Sequence, residues 1–439
     1  MSNNTKNRTP RIWFALFILF AINTVNFYDR LIIGAVGEPI RMEFGLGDAA
    51  LGLLSTAFTL LYAFVGVPLG RLADKVSRKK ILSAGVFAWS LLTAGSGIAQ
   101  NFWQVFLFRL GVGVGEASCA PAAASLISDL FPQEKRARAL SIFMLGLPLG
   151  IALSFAVSGT IAGLYGWRAA FFIAAIPGIL LSAAALFIHE PEREKSDTLS
   201  EKPFLGKSPY RRVLALPAMR WLILSGALHN FSLYALSSFI TPLLMRRHGL
   251  DIRDANLAAM IINGIMTLPG LLLGGILGDA AKLRRPDGGL LLVAAASLLS
   301  APFFLSAMYV PAGEINLFLL FMGGGFALMY FYYAIVYSTI QDIAEPRQRG
   351  TAMSIYFMAM YLVGGALGPY VVGTLSDYFT RQAAQSAGII ELSAEALEPF
   401  RASGLTAAMF IVPILSLFLS VVMFAAARSL KTGAKMERE

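Results

Sequence analysis

The chain contains twelve apolar runs, each roughly long enough to cross a bilayer as a helix, which takes about 20 residues. Polar segments separate the runs. With 56% hydrophobic and only 14% charged residues, the composition is far from that of soluble globular proteins. We therefore predict an all-α membrane protein with twelve transmembrane helices. The runs lie near residues 12–37, 49–70, 80–100, 103–129, 137–163, 168–189, 219–245, 256–278, 289–311, 315–341, 350–379 and 403–427.

The basic residues predict the orientation of these helices. Of the 36 Lys and Arg residues, 27 fall in the N-terminus, the even-numbered loops and the C-terminal tail, and seven fall in the odd-numbered loops. Because Lys and Arg are enriched in cytoplasmic loops, both termini are expected to be cytoplasmic. The net charge of +10 thus follows from topology, and no nucleic-acid partner is indicated.

Two sequence patterns repeat between the halves of the chain. The second run ends at Gly70 and is followed by Asp74 with a basic cluster, and the end of the eighth run repeats the spacing with Gly275 and then Asp279. A tighter repeat, offset by 213 residues, matches Asp129 and Arg136 to Asp342 and Arg349. Such internal similarity is typical of transporters built from repeats. It predicts two pseudo-symmetric six-helix bundles, 1–190 and 218–439, joined by a cytoplasmic linker, 191–217.

We expect the repeated residues to form a gating device. Glycine allows helix ends to approach closely, and an Asp can accept hydrogen bonds from a helix N-terminus or an Arg. Arg136 and Arg349 are candidate inter-helix partners. An ordinary basic loop would explain the positive charges but not the repeated Gly-to-Asp spacing. The predicted gating residues are Gly70, Asp74, Arg78, Asp129, Arg136, Asp279, Asp342 and Arg349.

Charged residues inside two predicted helices mark a candidate site. In the first run, Asn26, Asp29 and Arg30 lie on one helical face. In the fourth, Arg109 and Glu116 are seven residues apart, which places them on one face roughly 10 Å apart. That separation is too large for a direct pair, so each is expected to find a partner on another helix. Charges in a bilayer usually face a bundle interior or a pathway; a purely structural ion pair is the alternative.

No enzyme signature is present. The alternating glycines beside Arg109 follow no strand and indicate close helix packing. Gly206-Lys207-Ser208 lacks the earlier glycine of a phosphate-binding loop, because position 201 is Glu. No metal-ligand spacing or nucleophile motif occurs. We predict no catalytic activity, no metal and no cofactor.

The second half carries polar and aromatic candidates instead of charges. A cavity with one charged wall and one aromatic wall would suit an amphiphile, although Tyr at helical spacing more often packs in a core. His229, a lone imidazole, could be a packing residue or a proton carrier. The residues considered as substrate contacts here are His229, Asn230, Tyr330 and Tyr356.

These motifs resemble known transporters. The Gly-to-Asp loop resembles that of the major facilitator superfamily. The resemblance to this superfamily extends over essentially the whole chain. Three stretches resemble the spinster family: Asn26-Phe27-Tyr28-Asp29-Arg30, Arg109 through Glu116 to Ser118, and Asp129 through Arg136 to Ile142. The resemblance implies single-chain lipid substrates with charged heads, such as lysophospholipids or sphingosine phosphate. It also implies a polar, proton-coupling site formed by Asp29, Arg30, Arg109 and Glu116, and the compact loops suggest a bacterial inner-membrane member.

The sequence is compatible with three functions. The first is a monomeric secondary transporter for an amphiphilic lipid, with protons coupled through Asp29 and Glu116. Its substrate contacts would be Asn26, Arg30 and Arg109 together with the residues of the second half. The second is a proton-coupled symporter of small organic anions such as sugar acids. The third, a membrane sensor or lipid-remodelling enzyme, lacks any catalytic constellation.

Overall fold

The computed structural model describes residues 8–73, 76–190, 209–345 and 348–436 of the chain. These residues form helices joined by short turns, without a β-strand among them. The helices of the first half are α1 (Arg8–Phe44), α2 (Asp48–Ala73), α3 (Arg78–Gly97), α4 (Phe102–Glu116), α5 (Cys119–Leu130), α6 (Gln133–Met144), α7 (Gly146–Tyr165) and α8 (Trp167–Ala185).

The remaining helices begin with a short one, α9 (Pro209–Ala215), which precedes the second half. They are α9 (Pro209–Ala215), α10 (Pro217–His248), α11 (Ile252–Met260), α12 (Thr267–Arg284), α13 (Gly288–Tyr309), α14 (Ile315–Met329), α15 (Phe331–Ile343), α16 (Arg349–Ala359), α17 (Ala366–Ser386), α18 (Ala394–Leu397), α19 (Arg401–Met409) and α20 (Ile411–Met436). Two π-helical segments, Ile261–Ile265 and Met360–Gly365, interrupt them.

The all-α membrane fold is confirmed. Ten helical segments of the described chain are long and apolar enough to cross a membrane. Helices α2 and α3, with 26 and 20 residues, lie where the other two spans are predicted. The predicted fourth span corresponds to α4 and α5 in succession, separated by Ala117 and Ser118.

The chain forms two compact units. Unit 1 comprises Met1–Gly45, Leu53–Ser200 and Asp251–Met260, and unit 2 comprises Leu46–Gly52, Glu201–Leu250 and Ile261–Glu439. Each unit therefore takes in one short segment from the other half of the sequence, which the repeat alone does not predict. The boundaries of the predicted bundles and linker stay a prediction.

Buried polar contacts explain why Leu46–Gly52 belongs to unit 2 and Asp251–Met260 to unit 1. In unit 2, Asp48 is fully buried and binds Arg246 through two hydrogen bonds of 2.8 Å. The hydroxyl of Ser376 donates to Asp48 at 2.6 Å, and the Asp48 amide donates to Asp377 at 2.8 Å. In unit 1, the buried Asn256 amide donates to the carbonyl of Ala35 at 3.0 Å. Unpaired, such buried groups would be costly.

Candidate functional site

The charged residues predicted in the first and fourth spans form two ion pairs in unit 1. Arg109 Nη1 lies 3.0 Å from Asp29 Oδ1, and Arg30 Nη2 lies 3.4 Å from Glu116 Oε2. All four side chains are buried, and Glu116 is 0% exposed. Because each pair joins α1 to α4, the separation of Arg109 from Glu116 is bridged by partners on the neighbouring helix. We call these four residues the charged cluster.

The two ion pairs differ in the number and length of their hydrogen bonds. Arg109 also donates to the backbone carbonyl of Asp29 at 2.9 Å, and Thr93 donates to the other Asp29 oxygen at 2.6 Å. Arg30 contacts Glu116 at 3.4 Å and shares the same nitrogen with Asn26 Oδ1 at 3.1 Å. Charge-assisted hydrogen bonds weaken as they lengthen beyond about 2.9 Å. The Arg30–Glu116 contact is therefore the weaker of the two.

Aromatic rings surround the guanidinium groups. The Arg30 guanidinium carbon lies 4.7 Å from the Phe27 ring centroid and 5.0 Å from that of Phe58, and the Arg109 carbon lies 5.8 Å from Phe58. Such cation–π contacts favour a positive charge, and more strongly when water is excluded. Nothing in the sequence singles out Phe58 or Thr93, because one residue is an ordinary apolar side chain and the other lies in a small-residue helix.

Glycine allows close packing of α4 against α2. A β-carbon added to Gly113 would lie 2.4 Å from the carbonyl oxygen of Phe58 in α2, which no side chain could occupy. Glycine therefore allows α4 to approach α2 at backbone distance, as the alternating glycines predict. The Asn101 side chain accepts from the Gln104 amide at 3.0 Å and begins α4 with a standard N-cap.

The charged cluster contains buried polar atoms that lack a hydrogen-bond partner among the described residues. Glu116 Oε1 and Arg109 Nε are buried, and neither has a hydrogen-bond partner among the described residues. Buried charges depend strongly on their partners, and removing one partner typically costs about 3–5 kcal/mol. An anion that reached the guanidinium groups could therefore replace a carboxylate. In the described part of the chain no group of three or more His, Cys, Asp or Glu could hold a metal ion.

The aromatic candidates of the second half lie in unit 2. The His229 ring stacks on Tyr332, with centroids 4.0 Å apart and planes at 11°, and meets Tyr333 edge-on at 4.9 Å. Both imidazole nitrogens are buried without a hydrogen-bond partner among the described residues. Tyr330 packs edge-on against Tyr333 at 5.5 Å. Tyr356 is fully buried, and its hydroxyl donates to Tyr332 at 3.0 Å.

A π-helical segment contributes to the same part of unit 2. The Asn230 amide donates to the carbonyl of Met360, the first residue of that segment, at 3.0 Å, and the Tyr333 hydroxyl donates to Asn230 at 3.4 Å. The other π segment contains Asn263, which accepts from Ser237 at 2.8 Å. Single-turn π segments frequently occur at functional sites. The apolar pattern predicted uninterrupted helices here. Binding roles of His229, Asn230, Tyr330 and Tyr356 stay predictions.

The repeated loop residues form one similar contact in each unit. Arg78 pairs with Asp129 in unit 1, and Lys282 pairs with Asp342 in unit 2 at 3.0 Å. Each pair joins the basic loop to the Asp that ends the fourth or tenth predicted span. Asp279 is exposed.

Arg136 and Arg349 each bind a backbone carbonyl at the end of the preceding helix rather than one of the repeated Asp residues, among the contacts that the described residues make. Arg136 donates to the carbonyl of Phe131 at 3.1 Å, and Arg349 donates to that of Gln341 at 2.9 Å. Each thereby binds an end of the preceding helix, where helix carbonyls lack internal partners. Gly70 lies in α2, and Asp74 lies outside the described residues. The gating role of the set stays a prediction.

The Arg78 contact also includes a carboxylate that the sequence did not indicate. Glu190 accepts from the Ser77 hydroxyl at 2.5 Å, from the Arg78 amide at 2.8 Å and from the Arg78 guanidinium at 3.1 Å. Burial alone would raise the pKa of the Glu190 carboxyl, but these hydrogen bonds outweigh it and hold the pKa below its ordinary value. The charged form of Glu190 is thus favoured by folding.

This contact predicts a pH-dependent contribution to stability. A lowered pKa stabilises the folded state above the ordinary glutamate value of about 4.3 and ceases to do so as pH falls through the lowered value. We expect Glu190→Gln to lower the Tm of detergent-solubilised protein at neutral pH, and the difference from wild type to shrink in acid. Glu391→Gln, at an exposed site, is the control. A Tm difference that persists unchanged in acid would contradict the assignment.

Comparison with known proteins agrees with this architecture. The family model of the Major Facilitator Superfamily matches residues 12–369. An MFS-type efflux pump of Mycolicibacterium smegmatis is 28% identical over 84% of this chain and 86% of its own length. Protein spinster homolog 1 of Bos taurus is 30% identical over 83% of this chain and 73% of its length.

A solved structure of similar fold also matches nearly the whole chain. It is the crystal structure of a bacterial homolog to the human lysosomal transporter Spinster, in an inward-facing and unoccupied conformation. It superposes with a TM-score of 0.84 at 29% sequence identity, over 96% of this chain and 98% of that one. The chain is therefore a membrane transporter of the Major Facilitator Superfamily, homologous to the spinster proteins.

Proposed function

We propose that this transporter is proton-coupled and carries a single-chain lipid with an anionic or zwitterionic head group. The observation that carries the proposal is the charged cluster, in which two guanidinium groups are held by two buried carboxylates. Secondary transporters need groups that exchange partners between states, and intramembrane charges commonly serve that purpose. Asp29 and Glu116 are the proposed proton sites, and Arg30 and Arg109 bind the head group with Asn26.

In the proposed mechanism, the lipid head group and the Glu116 carboxylate compete for the guanidinium group of Arg30. A phosphate head approaching Arg30 can accept two parallel hydrogen bonds, a geometry that Arg provides and Lys does not. The 3.4 Å contact with Glu116 is the one that such a head would displace. The released carboxylate, now buried without a cation, then takes up a proton because burial disfavours its charged form. Lipid binding and proton uptake are thereby linked.

The residues of unit 2 favour a lipid over a hydrophilic anion. A small organic acid needs hydrogen-bonding groups for its hydroxyls, yet Asn230 and Asn263 are already bonded to Met360 and Ser237. Tyr330, Tyr333 and His229 form a packed aromatic group, a chemistry that suits an acyl chain better than a hydroxylated anion. Within unit 2, aromatic chemistry thus predominates over free hydrogen-bonding groups. We also propose cytoplasmic termini and a bacterial inner-membrane location, from the distribution of basic residues.

Binding in detergent distinguishes the lipid from the organic anion. We expect lysophosphatidic acid to raise the Tm of the purified protein, because a ligand that binds the folded state stabilises it. Glucuronate and sn-glycerol 3-phosphate, which carry the negative charge without the acyl chain, should have little effect. A neutral monoacylglycerol of equal chain length controls for detergent-like action. Stabilisation by glucuronate but not by the lysolipid would instead support the sugar-acid symporter.

A further inference from the structure

Unit 1 carries a groove that is separate from the charged cluster. It lies where the start of α1, the first turn of α3 and the residues after α8 meet, and its volume is about 590 Å³. The groove is open to the outside. Its lining residues are Pro10, Arg11, Phe14, Lys79, Leu186, Phe187, Ile188 and His189.

The polar side of the groove is positively charged. Arg11 is exposed, and it has no ion-pair partner among the described residues. Lys79 is half-buried, and its ammonium donates to the carbonyl of Ile188 at 3.3 Å, which leaves further donors for a ligand. The carboxylate of Glu190, the residue after His189, is bound by Ser77 and Arg78. An anion in the groove would therefore meet two cations and no competing negative charge from its lining.

The other side of the groove is apolar and exposed. Phe187 is 78% exposed, and Phe14 and Leu186 are also exposed. Along α1, Phe14 follows Arg11 by about 4.5 Å of helix rise, and Phe17, which is also exposed, follows by about the same again. The order from Arg11 to Phe17 runs from the helix end toward the middle of the span. Charge at a helix end with exposed aromatics beside it matches the head group and upper chain of a membrane lipid.

We infer that this groove binds the phosphate head group of an anionic phospholipid from the surrounding bilayer. Arg11 and Lys79 hold the phosphate, and Phe14 and Phe187 contact the acyl chains. The basic end of the span belongs to the cytoplasmic leaflet by the charge distribution, and anionic lipids of that leaflet attract such basic residues. The inference requires the membrane location of the chain but not the transport substrate proposed above.

Lipid titration of the full-length protein tests the site. Phosphatidylglycerol is added to the purified protein in detergent, and native mass spectrometry measures the lipid concentration at half occupancy. Each basic residue near a membrane surface contributes about 1 kcal/mol to binding an anionic lipid. The double variant Arg11→Gln/Lys79→Gln should therefore need about thirty-fold more phosphatidylglycerol, the equivalent of about 2 kcal/mol. Phe187→Ser, which keeps both charges, should weaken binding to a smaller extent.

The matched control is Arg211→Gln/Arg220→Gln, which removes the same charge from exposed positions of α9 and α10. This control variant should leave the half-occupancy concentration unchanged. When phosphatidylcholine replaces phosphatidylglycerol, the groove variants should be indistinguishable from wild type. Equal weakening in both double variants would show a general charge effect and overturn the inference. Displacement of the lipid by free sn-glycerol 1-phosphate would also overturn it, because it would identify a site for soluble anions.

Discussion

Glu116→Gln is expected to bind and carry substrate with no dependence on pH across the range in which the wild type responds. In the wild type, acid protonates Glu116 and frees Arg30 for the head group, so lower pH should favour transport. The amide resembles the protonated carboxyl in shape and lacks its charge, so Arg30 would be permanently available. Asp29→Asn should likewise lose pH dependence, with Arg109 as the freed guanidinium. Uptake of a fluorescent lysolipid into proteoliposomes, measured at several pH values, gives the result.

A matched carboxylate controls for burial and ion pairing alone. Glu38 is buried in α1, nine positions after Asp29, and pairs with Arg41 at 2.9 Å. Glu38→Gln should retain the wild-type response to pH even if its Tm falls. Thermal unfolding of each variant establishes that it is folded. If both Glu116→Gln and Asp29→Asn keep the wild-type pH profile, neither carboxylate is the coupling site.

Arg109→Gln is expected to abolish transport and to cost about 3–5 kcal/mol of stability, because it leaves the Asp29 carboxylate buried without its cation. Arg109 makes two contacts with Asp29, one to the side chain and one to the backbone carbonyl. Arg109→Lys keeps the charge but cannot reproduce both directions of hydrogen bonding. It should therefore recover part of the stability and little of the transport. Chemical unfolding and lysolipid uptake measure the two effects separately.

The double variant Asp29→Asn/Arg109→Gln separates structure from function. Removing both charges together leaves no buried unpaired ion, so stability should return most of the way to that of wild type. Transport should remain absent, because one of the two proposed head-group cations and one of the two proposed proton sites are gone. A double variant that is as unstable as Arg109→Gln would show that the pair is not coupled. A double variant that transports normally would show that the pair is only structural.

The central features of the charged cluster could be predicted from residue spacing. Arg109 and Glu116 are seven positions apart, about two helical turns, so the spacing excludes a direct pair and requires partners on another helix. The first span supplied one acid and one base on a single face. What spacing could not supply was the identity of neutral neighbours, since Thr93 and Phe58 become part of the site only through the packing of α2 and α3.

The features missed by sequence depend on long-range contacts. Apolar periodicity does not distinguish α from π turns, so the segment starting at Met360 could not be foreseen. Arg136 binds the carbonyl of Phe131, a neutral backbone partner that the repeated Asp and Arg positions do not indicate. Asp48 occupies the start of an apolar span and resembles an ordinary N-terminal acid. Its burial against Arg246 joins residues from distant parts of the sequence.

The proton count of lipid binding tests the central claim most directly. Isothermal titration of lysophosphatidic acid into the purified transporter, repeated in buffers of different ionisation enthalpy, measures the protons taken up or released per lipid. The account predicts net proton uptake by the wild type and none by Glu116→Gln. Equal uptake by the two proteins, or no uptake by the wild type at any pH at which the lipid binds, would contradict it.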